Sequence, residues 1–83
     1  MHWQVVFTHE ARQEFSQLPA REQSAMIHAV DKLAAEGPAL PYPHSSAVQG
    51  ADRLRELRLR AGRSAWRALY RRVEDVFVIG GTS

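Results

Sequence analysis

The stretch LRELRLRAGRSAWRALYRR, residues 54–72, carries seven arginines in nineteen residues. The spacing of the residues between those arginines decides the fold. Side chains on a strand alternate between its two faces. Over 54–60, Leu57 and Leu59 share one face, while Glu56, Arg58 and Arg60 share the other. AGRS follows, a turn by virtue of its glycine. Over 65–71, Trp66, Ala68 and Tyr70 then oppose Arg67, Leu69 and Arg71. Two antiparallel strands with their apolar faces turned the same way make a core of Leu57, Leu59, Trp66, Ala68 and Tyr70. The opposite, open face shows Arg58, Arg60, Arg67 and Arg71, with Glu56 beside them.

The flanking sequence supplies what such a sheet packs against. Residues 3–7, WQVVF, alternate like a short strand. Thr8 follows as an N-cap, with Glu10 near the positive end of the helix that it starts. Ala11, Phe15 and Leu18 recur at i, i+4 and i+7, which predicts an amphipathic helix over 9–18, broken at Pro19. A second helix is expected over 20–36, its apolar stripe formed by Met26, Ile27, Val30, Leu33 and Ala34 and its end marked by Gly37-Pro38. Residues 38–50, PALPYPHSSAVQG, read as an extended loop, and 76–79 as a last apolar strand. The element order β-α-α-β-β-β predicts a small α+β domain, with an αα-hairpin packed on one face of an antiparallel-rich twisted sheet. The whole of 1–83 reads as that single domain, because a chain of this length forms only one core.

Charge is divided unevenly along the chain. Residues 1–50 hold three basic and five acidic side chains, whereas residues 51–83 hold eight basic and four acidic. Ten of the eleven basic residues are arginine, whose planar fork bonds phosphate or carboxylate bidentately. Clustered cations repel one another. Glu56 and Glu74 offset part of that repulsion, and a polyanion would offset the rest in a salt-dependent manner. The chain has no cysteine, which excludes a disulfide framework and thiolate metal ligands. Its four histidines show no metal-ligand spacing, and no cofactor is expected. The N-terminal residues contain no run long and apolar enough for a signal or membrane segment, so a cytoplasmic protein is expected.

The ordered set of motifs resembles the RelE/HigB superfamily of bacterial toxin–antitoxin toxins, and within it the phage-derived HigB-like branch. The residues that carry the resemblance are Gly37-Pro38-Ala39-Leu40, Leu54-Arg55-Glu56-Leu57-Arg58, Trp66-Arg67-Ala68-Leu69-Tyr70 and the apolar run Val76–Gly80. The resemblance implies a RelE-like fold and a metal-free, ribosome-dependent mRNA endonuclease that inhibits translation and is silenced by a cognate antitoxin. It implies Arg67 and Arg58 as catalytic cations, with Glu56 as a base or as their charge balance. Arg60, Arg71, Arg63 and His44 are the implied RNA or phosphate contacts. Relatives commonly continue past the last strand with further basic or tyrosine side chains, whereas here Gly80-Gly81-Thr82-Ser83 follow it, so a missing C-terminal extension is expected. Two other readings keep the same fold: a gyrase poison of the ParE kind, and a catalytically inert RNA- or antitoxin-binding relative.

Overall fold

A computed structural model describes residues 2–82, so Met1 and Ser83, the two ends of the expected domain, lie outside the described residues. Strand β1 (Gln4–Phe7) leads into helix α1 (His9–Ser16) and then α2 (Ala20–Glu36). A 3₁₀ turn at Gly37–Ala39 follows, then β2 (Ser45–Ala47), β3 (Arg55–Arg58), a tight turn at Leu59–Gly62, β4 (Arg67–Val73) and β5 (Val76–Thr82). The sheet order is β1-β5-β4-β3-β2. All neighbours are antiparallel except β1 and β5, which run parallel with Gln4 opposite Val76 and Phe7 opposite Ile79. The α+β class and the helical hairpin agree with the sequence reading.

Local chemistry sets the element ends. The Thr8 hydroxyl accepts a hydrogen bond from the Ala11 backbone N–H at 3.1 Å, capping α1 as expected. That helix stops at Ser16 rather than residue 18, and Leu18 tucks into the core instead. At the far end of α2, Gly37 takes a φ of 60°, and a Cβ there would overlap the Trp3 indole. Trp3 donates its backbone N–H to the Ala34 carbonyl at 2.6 Å, so the entry to β1 is fastened to the exit of α2.

The core lies between the two helices and one face of the sheet. Ala11, Met26 and Leu33 from the helices meet Leu57, Ala68, Tyr70, Phe77 and Ile79 from the strands, all buried. Phe77 joins Trp3 and Tyr70 in tilted and edge-on contacts with centroids 5.4 and 5.6 Å apart. The Tyr70 hydroxyl, deep in this apolar layer, is hydrogen-bonded to the buried Ser45 Oγ, which also accepts from Arg55 Nε at 2.9 Å. The anticipated sheet-side core holds, with Trp66 only half-buried at its margin, whereas Ile27, expected in the apolar stripe of α2, is 53% exposed.

Two expectations about the chain around β3 are corrected. The expected loop 38–50 contains strand β2, which pairs Ser45 with Leu57. The strand expected over 54–60 ends at Arg58, because Arg60 and Ala61 both adopt left-handed backbone with φ of 55° and 56°. Such a conformation costs an L-residue on the order of 1–2 kcal/mol. The turn therefore stores strain beside the arginines. It is tied to α2 through the Ser64 hydroxyl, which donates to Glu22 Oε1 at 2.9 Å.

Candidate functional site

The seven arginines of 54–72 do not form one uniform face. Arg67 and Arg58 are register partners in the β3–β4 ladder. Arg67 Nη1 lies 3.5 Å from Glu56 Oε1 on the open side of the sheet, so that pair partly balances itself. Arg71 shares that strand face and is exposed. Arg60, placed on the same face by alternation, is not there. The turn carries it to the helix side, where it reaches Glu22 at 3.8 Å and the Arg21 carbonyl at 3.4 Å. Arg63 folds back on the same turn and donates from Nε to the Arg60 carbonyl at 3.2 Å.

Arg58 departs furthest from the simple alternation. Its guanidinium lies under Gly62, whose φ of 89° and missing Cβ leave room for it; an added Cβ there would sit 2.9 Å from Nη2. The guanidinium carbon stands 5.2 Å from the centre of the Tyr42 ring, a cation–π contact. Nε is buried with no hydrogen-bond partner among the described residues. No carboxylate comes within ion-pair distance of the Arg58 head among the described residues either. Arg58 is therefore a half-buried strand arginine whose charge no carboxylate balances among the described residues.

That charge faces a groove of about 630 Å³ between α2 and the β3–β4 turn. Arg58, Arg60, Arg63 and His44 line one side. Arg21, His28 and Lys32 of α2 line the other, with Ala25, Ala29 and Leu57 as part of the apolar floor. No aspartate or glutamate is among the lining residues. A cleft carrying one sign of charge over an apolar floor focuses potential and concentrates counter-ions. The volume falls within the roughly 300–1,000 Å³ typical of ligand clefts.

His44 is less free than a loop histidine. It is half-buried, and its carbonyl accepts the Arg58 backbone N–H at 2.8 Å, which fixes the imidazole's backbone beside Arg58. Glu56 sits beside Arg67 on the other side of β3. The sequence reading did not include Arg21, His28, Lys32 and Tyr42 in the site. A signal was present: Arg21, His28 and Lys32 follow at i, i+7 and i+11, one narrow stripe of a helix.

The family model described as Phage derived protein Gp49-like (DUF891) matches residues 13–79, which take in the second half of α1, all of α2 and β2 to β4, and the first part of β5. The chain belongs to that family. No curated protein matches this Gp49-like chain in sequence. Solved structures match its fold. The mycobacterial toxin–antitoxin complex RelBE2 from Mycobacterium tuberculosis includes a chain 23% identical, with a TM-score of 0.75, over 100% of this chain and 98% of that one. The E. coli RelBE toxin–antitoxin complex gives 16% identity and a TM-score of 0.77 over 98% and 94%. The archaeal RelE–RelB complex from Pyrococcus horikoshii gives 19% and 0.72 over 100% and 94%. The Gp49-like domain thus has the RelE fold. No helix among its described residues is long and apolar enough to cross a membrane.

Proposed function

We propose that this Gp49-like protein is the toxin of a toxin–antitoxin pair, acting in the cytoplasm as a metal-free mRNA endonuclease on translating ribosomes. The observation that carries the reading is the Arg58 guanidinium, uncompensated by any carboxylate among the described residues, in a cationic groove, with Arg67 its register partner on β4 reaching the open face of the sheet. The RelE fold supports it, since the three similar structures are complexes of toxins with antitoxins or of RelE with RelB.

In the proposed reaction the RNA's 2′-hydroxyl attacks the adjacent phosphorus, and the bond to the 5′-oxygen breaks. The 2′-hydroxyl proton passes to a base and a proton reaches the departing 5′-oxygen, leaving a 2′,3′-cyclic phosphate and a 5′-hydroxyl. Negative charge grows on the non-bridging oxygens, where preorganised cations contribute most. Arg58 and Arg67 supply that charge. Glu56 holds Arg67 in place or takes the proton, and His44, fixed beside Arg58, is the second candidate base. Arg60, Arg63 and Arg71 hold flanking phosphates. A cognate antitoxin restrains the toxin by covering these cations.

New RNA 5′ ends are to be mapped across the transcriptome minutes after induced expression, with Arg58→Ala and Arg67→Ala alongside. Cuts inside translated codons, lost in both variants and when translation is blocked, are the expected result. Growth arrest with no new ends would overturn the nuclease and point to gyrase; no ends and no arrest would indicate an inert relative.

A further inference from the structure

The basic side chains of α2 are the least explained feature of the groove. Arg21, His28 and Lys32 are exposed, have no acidic partner among the described residues, and share one stripe of the helix. From Arg21 to Lys32 the stripe runs roughly 16 Å at 1.5 Å per residue. One phosphate cannot touch both ends of it. Across the groove, next to Arg58, Tyr42 is 70% exposed, large and aromatic, with the Arg58 guanidinium 5.2 Å from the centre of its ring. Exposed aromatics beside a cationic track are what single-stranded nucleic acid uses, its backbone following the charges and its bases stacking on the rings.

We infer that the groove is a two-walled seat for a short run of single-stranded RNA. The backbone runs along Arg21, His28 and Lys32 on α2, while Tyr42 stacks a base next to the phosphate held by Arg58. The inference rests on the proposed RNA reading and deepens it. It assigns α2 a role in holding substrate and makes Tyr42 a stacking platform. An acidic peptide would use the cations equally well but would have no use for an open aromatic face, so RNA is the occupant that Tyr42 favours.

The test is binding, kept separate from cleavage. A fluorescent 2′-O-methyl RNA tetranucleotide, which lacks the attacking hydroxyl, is titrated with the purified protein at several salt concentrations by anisotropy. A mononucleotide and an octaglutamate peptide serve as competitors. Arg21→Ala and Lys32→Ala are each expected to reduce the slope of log affinity against log salt by about 0.7. Tyr42→Ala is expected to weaken binding roughly 5- to 150-fold, with Tyr42→Phe close to the parent. All three positions tested carry exposed side chains, and unchanged circular dichroism confirms that the four variants fold. Unchanged slopes in both α2 variants, or parent-like affinity in Tyr42→Ala, would overturn the inference. So would octaglutamate competing as well as unlabelled tetranucleotide. Because the probe cannot be cut, seating of the tetranucleotide with no cleavage in cells would sink the nuclease alone. Cleavage in cells with no effect of the α2 and Tyr42 changes would sink the seat alone.

Discussion

Replacing Arg58 with methionine separates a functional role from a structural one, because the two predict opposite signs. Methionine keeps the length of the apolar stem that packs beneath Gly62 while removing the charged head. The head makes one favourable contact, the cation–π approach to Tyr42 at 5.2 Å, worth about 0.5–1 kcal/mol at a partly exposed site. Against it stands the buried Nε, with no partner among the described residues, an unmet donor that costs about 1–3 kcal/mol. The neighbouring cations of the groove add repulsion that grows as salt falls. The balance favours the variant by about 0.5–2 kcal/mol. In a domain of this size that raises the melting temperature by roughly 4–8 °C per kcal/mol. Urea unfolding should show a higher midpoint at unchanged slope, with a larger gain at low salt, while RNA cleavage is lost. A variant less stable by more than 1 kcal/mol would show that Arg58 holds the fold together rather than serving as an uncompensated functional cation. A stabilised variant that still cuts RNA would refute the catalytic half.

Gly62→Ala should lose about 1–2 kcal/mol from its φ of 89° and push the Arg58 guanidinium off Tyr42. Its cleavage rate should fall although every arginine remains, whereas parent-like cleavage would mean that the guanidinium position is immaterial. Gly37→Ala combines a φ of 60° with overlap of the Trp3 indole, and a loss of about 3–5 kcal/mol in tryptophan-monitored urea unfolding is expected. Ser45→Ala strips the buried Tyr70 hydroxyl of its partner and should cost about 1–3 kcal/mol, most of it recovered in the double variant with Tyr70→Phe.

Local periodicity carried most of the fold. Thr8 announces α1 through its own side chain, and the alternation of Leu57 with Arg58, and of Ala68 with Arg67, fixes which face of the hairpin is buried. Three features escaped the sequence reading. β2 is Ser-Ser-Ala, without β-branched or aromatic residues, and it is a strand because Tyr70 and Arg55 hold Ser45. The alternation LRLR continues through Arg60, yet the chain turns there on two left-handed residues, neither of them glycine or asparagine. The α2 stripe looked like ordinary solvated charge. It becomes a wall of the groove only when the β3–β4 turn is brought against α2, a contact between residues some forty positions apart, such as Ser64 and Glu22. The arginine cluster of the site was legible from composition, whereas the split of Arg58 and Arg60 from Arg67 and Arg71 was not.

The placement of β5 has a consequence for the order of synthesis. Of the described strands it is the last to be made, yet it is inserted between β1, the first of them, and β4. Until it emerges, β1 has no neighbour in the sheet, and Phe77 and Ile79 are missing from the core. A nascent chain can therefore carry Arg58 and Arg67 without a completed scaffold to hold them opposite each other. Pairing strands so far apart in sequence also requires closing a long loop, which slows folding. If the proposed target is the translating ribosome, the ribosome making this protein is protected while the scaffold remains unfinished.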